Sequence, residues 1–528
     1  MSGTCPAASI TEFDFGCLVP HYGIADRIKK PLQINTLQMK PNVKAAEKIL
    51  EKAKSLTNNG QYDKALSLLN ERSDELKSYS IFHNMKGVCL QGLQEHDDAV
   101  KCFLEGIKIN PLDPLPFTGI GNSLFKNLQY AESERYYELA LVVDENYHDA
   151  LVGIGAVAFQ RTQYDKCEEF LKRALQQKPE TVTTNTNLGN CYSAQGRHDE
   201  ALRHLKIAAK NARKNSPTFM NLGLIGLGRG EFETAWDFYE HRFNEDNFIA
   251  ERFTRIPRWA KPLGEPKKVL IWAEQGLGDE IMYASLYHEL VGLSETFVVE
   301  CDPRLLPIYQ QSFPHLLLTA KTNANDATGL DYQIPLASLP SVFRRSKTAF
   351  ESAVHPFLTL PPPNPEQQKL LAQLRTLPRP RIGVSWESFA LTANFRERKS
   401  IPAAEFAALT RSSSGTFINL QFPNPNHHET PRVQDIPPNV MTLPNVDLKN
   451  DITTLGMIIK ELDQVITIGN TVAHLCGALA KPATVLLPSV ADWRWGFSGE
   501  RSIWYPSLTL KRNTQASSWT TLLNTIQI

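Results

Sequence analysis

Two halves with different patterning predict an α-solenoid followed by an α/β region of two Rossmann-like lobes. Three observations carry this expectation. Glycines recur every 34 residues at Gly87, Gly121, Gly155, Gly189 and Gly223. After Phe248 that period stops. In its place come short apolar runs that read as buried strands, the first and the last but one leading through a Gly-containing turn into a helical stretch. The length of 528 residues corresponds to about three domains at roughly 100–200 residues each.

The repeat half is defined by columns. Stepping the glycine phase back once reaches Ala53. Twelve residues after each column position stands a small residue: Ala65, Ala99, Ser133, Cys167, Ala201 and Ala235. Three residues before that comes an aromatic ring or a histidine: Tyr62, His96, Tyr130, Tyr164, His198 and Phe232. A large apolar column follows at Leu69, Phe103, Tyr137, Leu171, Leu205 and Tyr239. Small residues let antiparallel helices approach, and larger ones fill the space between successive pairs. The period and these offsets resemble the tetratricopeptide repeat, with six units over 46–249. Its end units are atypical: Ala53 replaces the glycine, and Gly226 stands where a bulky residue is usual. Stacked repeats of this kind present a concave face to a peptide or protein, or act as a spacer or dimerisation surface. Residues 1–45 read as an N-terminal extension without periodicity.

Composition narrows the function classes. The 56 Lys+Arg balance 56 Asp+Glu, with 42% hydrophobic and 21% charged residues. Zero net charge removes a whole-protein electrostatic case for nucleic acid or an anionic membrane. No apolar run approaches the ~20 residues that cross a bilayer. Met1 to Pro20 lacks the basic-then-apolar pattern of a secretory signal. The eight cysteines form no CxxC or Cys/His cluster, so neither zinc nor a disulfide framework is expected. These features predict a cytoplasmic protein.

The second half is read as two lobes, 250–378 and 379–528, joined through the Pro-rich stretch 360–365. In the first, Val269–Ala273 is a strand and Gln275-Gly276-Leu277-Gly278-Asp279 a turn, followed by a helix over 280–290. Further strands are expected at 297–300 and 316–318. In the second, strands are expected at 382–386, 416–420, 464–468 and 484–487. A helix from Asn470 to about Ala480 precedes the last strand.

Four motifs carry a second resemblance. Glu274-Gln275-Gly276-Leu277-Gly278-Asp279-Glu280 and the run Asn470 to Pro482 resemble elements of bacterial proteins that fuse tetratricopeptide repeats to a GT-B glycosyltransferase. Lys399-Ser400-Ile401-Pro402 and Trp504-Tyr505-Pro506-Ser507 match the same pattern. The domain is similar to the heptosyltransferases of lipopolysaccharide synthesis. The resemblance implies an inverting transfer from a nucleotide sugar, without a metal, to a protein acceptor on the repeat array, flagellin being the first expectation. Asp279 would be the base and Lys399 a phosphate contact.

The residues allow these roles beside plainer ones. Asp279 follows a two-glycine turn at a strand's carboxyl end, where α/β sheets place ligands. It suits a general base, or equally charges a helix start. Glu274 and Glu280 compete for the role. Gln275, Gly276 and Gly278 build the acceptor-side turn. Asn470 and Thr471 open a helix whose N–H groups suit a diphosphate. His474 lines the site or fills the core. Arg396, Arg398 and Lys399 form a phosphate clamp or a solvated loop. Trp493 and Trp495 stack on a base or sugar, or fill the core. The chain has no Asp-X-Asp motif. Two other readings stay open: an adaptor with a degenerate transferase half, kept alive by Glu387 and Cys476, which depart from the family pattern, and a lipopolysaccharide enzyme.

Overall fold

The computed structural model describes residues 43–214, 216–244, 251–321, 328–388, 399–412, 414–422, 436–437, 439–514 and 518–527. Arg396, Arg398 and most of the N-terminal extension lie outside the described residues. Helical hairpins follow the glycine columns. They pair α1 (Val43–Asn58) with α2 (Tyr62–Glu71), α3 (Ser80–Gly92) with α4 (His96–Ile109), and α5 (Pro114–Lys126) with α6 (Tyr130–Val143). The series continues with α7 (His148–Gln160) and α8 (Tyr164–Gln177), α9 (Val182–Ala194) and α10 (His198–Asn211), and α11 (Pro217–Arg229) and α12 (Phe232–Tyr239). Sterics explain the glycines. A Cβ on Gly87 would stand 2.7 Å from the Phe103 ring, on Gly121 2.6 Å from Tyr137, and on Gly155 2.7 Å from Leu171. The large column fills the groove that the glycine column leaves.

Each hairpin also turns through a residue with positive φ, at the same 34-residue spacing: Gly60, Gln94, Leu128, Thr162, Gly196 and Gly230. The next residue donates back into the preceding helix, as in Glu95 N–H to Leu90 O at 2.9 Å and Gln163 N–H to Ala158 O at 2.8 Å. Glycine favours this helix closure. Three of the six positions nevertheless carry side chains, Thr162 even a β-branched one.

The chain divides into two compact units, 1–192 and 193–528, so the boundary falls inside α9. In the first unit the repeat columns form their own core, with Phe103 packed beside Ile120 and Tyr137 beside Phe117 and Ile154. In the second unit the last hairpin is built into the α/β body. Leu227, Phe232, Trp236 and Tyr239 share one apolar core with Val269, Trp493 and Trp504. Trp236 Nε1–H donates to Arg344 O at 2.9 Å, and Phe497 N–H donates to Gly228 O at 2.9 Å.

That body holds two sheets whose strands pair in parallel. The first contains β1 (Lys268–Trp272), β2 (Thr296–Cys301), β3 (Leu317–Ala320) and β4 (Tyr332–Pro335), in the order β3-β2-β1-β4. The second contains β5 (Arg381–Val384), β6 (Thr416–Asn419), β7 (Val440–Met441), β8 (Gln464–Ile468), β9 (Ala483–Leu487) and β10 (Leu508–Arg512). Its order is β10-β9-β8-β5-β6-β7. Counted from β5, this is the 3-2-1-4-5-6 winding of a Rossmann-like sheet. Strands β4, β7 and β10 were not among the sequence expectations. β7 has only two residues, and neither β4 nor β10 carries the continuous apolar run that marks the central strands. The helix expected over 280–290 is instead α13 (Leu277–Tyr283) followed by a 3₁₀ segment at Ala284–Leu290. Between the lobes lies α14 (Pro365–Thr376), started by an Asn364 capping box, and it packs on α15 (Ile452–Glu461) through Gln367 and Thr454. The last helix needed below is α16 (Thr471–Ala478).

Candidate functional site at the junction of the two lobes

In both sheets the strand order reverses at one place, between β1 and β4 and between β5 and β8. Ligands of such sheets bind outside the carboxyl ends of the strands at that point. The chain leaves β1 through Ala273 and Glu274 into α13, and leaves β8 through Gly469 and Asn470 into α16. These two exits meet. A Cβ on Gly278 would stand 2.9 Å from His474 Cδ2, so only glycine lets the two helices approach this closely.

Three neighbouring carboxylates, indistinguishable as base candidates in sequence, are sent to three places. Glu274 is buried and accepts from Arg242 Nη2–H at 2.8 Å and from Ala337 N–H at 3.2 Å. Burial raises its pKa, and the Arg242 charge only partly opposes this. Glu280 is also buried, its Oε2 accepting from Asp302 N–H at 2.8 Å, and burial raises its pKa to about 7. Asp279 alone reaches the other lobe, where its Oδ1 accepts from Arg494 Nε–H. The divergence follows from helix geometry. Residues 279 and 280 are about 100° apart around α13, so one faces the second lobe while the other faces β2.

Arg494 sits on a 3₁₀ turn (Trp493–Trp495) after β9 and is also bonded to Asp492 Oδ1 at 2.9 Å. Asp492 Oδ2 accepts from Lys399 Nζ–H at 3.3 Å. The result is a line of alternating charge, Asp279–Arg494–Asp492–Lys399, spanning both lobes. Burial alone would raise Asp492, but the charges of Arg494 and Lys399 overcome it and hold this carboxyl well below the usual range. Burial works against the Arg494 charge as well, and Asp279 and Asp492 more than restore it. The guanidinium lies 4.7 Å from the Trp493 ring centroid, a cation–π distance. Sequence reading missed Arg494 and Asp492. Nothing in a Trp-Arg-Trp run marks an arginine that faces a residue 215 positions earlier.

The other expected site residues divide between site and scaffold. Asn470 Oδ1 caps α16 by accepting from Val472 N–H at 3.1 Å and Ala473 N–H at 3.4 Å. Its Nδ2–H donates to Ser385 Oγ at 2.8 Å, which in turn pairs with Thr467 Oγ1 at 2.8 Å. Two of the N–H groups expected to face a diphosphate are therefore taken by Asn470 itself. Thr471 stands in the first turn, half-buried. His474 is 5% exposed, and a hydrogen bond of 2.9 Å joins its Nδ1 to the Tyr505 hydroxyl. Burial lowers its pKa to about 4, so the ring is neutral over most of the accessible pH range. Trp493 and Trp495 are core: Trp493 packs on Trp236 and Tyr239, and Trp495 lies 5.0 Å from the His474 ring. Gln275 Nε2 is buried without a hydrogen-bond partner, and no atom within 4 Å would meet a Cβ on Gly276.

Comparison with known proteins covers parts of the chain. Tetratricopeptide-repeat models match residues 148–214 and 82–111. Protein FlbA of Caulobacter vibrioides is 28% identical over 316 residues, 56% of this chain and 51% of that protein. The chain thus spans about half the length of the curated relative it matches. Among solved structures, Pseudomonas aeruginosa pilF matches with a TM-score of 0.32 and 13% identity, covering 39% of this chain and 89% of that one. A thermophilic tetratricopeptide-repeat protein of Thermus thermophilus matches at 0.30 and 20%, covering 32% and 92%. Among the described residues no helix is long and apolar enough to cross a membrane. The chain contains tetratricopeptide repeats, followed by an α/β region with two parallel sheets.

Proposed function

We propose that the α/β half is a GT-B glycosyltransferase that moves a sugar from a nucleotide-sugar donor to a protein acceptor recruited by the repeats. The observation that carries this reading is the convergence at Asp279: one carboxylate from the first lobe meets the Arg494 cation of the second, and Lys399 follows on the far side of Asp492. Sugar transfer needs a base for the acceptor hydroxyl and positive charge for the departing diphosphate. The two requirements sit here on opposite lobes. Open space beside Gly276 and the unpartnered Gln275 amide add an uncrowded turn with a free donor. The helix start at Thr471 adds a dipole end facing the same region. The repeats suit a polypeptide acceptor, and flagellin is the first acceptor to test.

Transfer is measured with full-length protein, a panel of labelled nucleotide sugars and candidate acceptor proteins. Asp279→Ala is expected to lower it by roughly 10²–10⁴-fold while leaving the melting temperature near wild type. Unchanged transfer in that variant would remove Asp279 as base. An absence of donor binding or transfer with every nucleotide sugar would favour the adaptor reading. Acceptor recruitment is tested by removing residues 1–192. The last hairpin must stay because it is part of the α/β core.

A further inference from the structure

We propose that Arg494 is a gate on the candidate base, holding Asp279 in an ion pair until the donor's diphosphate takes its place. The proposal rests on the transferase reading above and names a device within it. Four observations lead to it. Arg494 bonds two carboxylates at once, Asp279 through Nε and Asp492 through Nη1. The two partners are not equivalent. Asp492 belongs to the same turn, caps it by accepting from Arg494 N–H at 3.1 Å, and is held from its far side by Lys399. Asp279 comes from the other lobe. Finally, both members of the Asp279–Arg494 pair are 17% exposed at the side chain, so the pair is shielded yet reachable.

The chemistry of exchange follows. A carboxylate oxygen that accepts from a guanidinium is engaged in a charge-assisted bond, which must break before that oxygen can turn to an acceptor hydroxyl. Without donor, Asp279 Oδ1 is held in the ion pair with Arg494. A diphosphate is a stronger partner for a planar guanidinium than one carboxylate, since it offers several oxygens and more charge. On arrival it draws Arg494 and Lys399 toward itself. Asp492 stays with its turn, and Asp279 is the partner released. Donor binding then arms the base, which orders the reaction with donor first and acceptor second.

The test is a double-mutant cycle on nucleotide binding, independent of turnover. UDP, GDP, CDP and ADP are titrated into full-length wild type, Asp279→Asn, Arg494→Gln and the double variant, at one ionic strength. Melting curves check each fold, and Asp279→Ala repeats the asparagine arm. The gate predicts that Asp279→Asn binds the preferred diphosphate about tenfold more tightly, because no ion pair has to be broken. Arg494→Gln is expected to bind at least about tenfold more weakly. In the Arg494→Gln background, Asp279→Asn is expected to change nothing. Equal tightening in both backgrounds would mean that Asp279 merely repels the ligand, and would overturn the gate. So would unchanged or weaker binding by Asp279→Asn. If none of the four nucleotides binds wild type, the transferase reading falls, and the gate with it.

Discussion

In the first lobe, the crevice where strand order reverses is filled by protein. Arg242, from the segment that ends the last repeat, lies fully buried beyond the carboxyl ends of β1 and β4 and bonds Glu274, Glu240 and Ser338 at 2.8–2.9 Å. In the second lobe the equivalent crevice between β5 and β8 is lined by small polar groups: Ser385, Thr467 and the Asn470 cap. Equal windings have been put to different uses. In the first lobe a buried ion pair closes the crevice and anchors the lobe to the last repeat; in the second, buried hydroxyls hold the helix start in place. The candidate base, Asp279, lies instead on α13 at the seam.

The largest test of this contrast is Arg242→Met. It leaves Glu274 buried without its counter-charge and is expected to cost about 3–5 kcal/mol of stability in denaturant unfolding. Replacing both partners, Arg242→Met with Glu274→Met, is expected to recover most of that, because two apolar side chains need no counter-ion. A double variant no better than the single one would mean that the pair does more than fill a crevice.

One buried group in each lobe titrates in the opposite sense to the other. Glu280 of the first lobe has its pKa raised to about 7 by burial, so between the unfolded carboxyl value and that pH the native state holds a proton that the unfolded state has lost. Its contribution falls as pH rises through this window. His474 of the second lobe has its pKa lowered to about 4 by burial, so below the unfolded imidazole value the unfolded state binds a proton that the native state refuses. Its contribution falls as pH drops from about 6.5 toward 4. Each effect is on the order of 3 kcal/mol, and over most of the shared range they offset each other. The two contributions show as differences from the wild-type stability–pH curve between about pH 4.5 and 6.5. Glu280→Gln should uncover a loss on acidification, and His474→Gln a gain. Parallel curves for all three proteins would show that one or both groups are not buried as described.

The smallest expected effect separates cap from crevice. Asn470→Ala removes the N-cap of α16 and should cost about 1–2 kcal/mol. Asn470→Asp keeps the cap oxygen, and the Ser385 hydroxyl can turn to donate to it, so its cost should be below about 0.5 kcal/mol. Equal losses in both variants would make the Nδ2–Ser385 bond the main contribution.

Much of this architecture was written in one-dimensional spacing. The 34-residue columns place every hairpin, because helix contacts along a solenoid link residues a fixed distance apart in sequence, such as Gly121 with Tyr137. The apolar runs of β1, β2, β5, β8 and β9 were legible for a similar reason: strands buried on both faces must be continuously apolar. The turn before α13 and the helix start at Asn470 were visible too, since local backbone chemistry favours those residue types; that Asn470 caps the helix itself was not. Asp279 was singled out beside Glu274 and Glu280, but nothing local could rank the three. What ranked them was which element each meets across the fold: Arg242, Asp302 N–H and Arg494. The same holds for the last hairpin. Its columns read like any other repeat's, and residues far along the chain, among them Trp493, Phe497 and Trp504 more than 250 positions later, make it part of the α/β core. Periodicity and local backbone chemistry are determined by the sequence alone because they act between near neighbours. Charge pairing and the choice of neighbour across a seam are decided by the tertiary structure, because they depend on distances that chain order does not set.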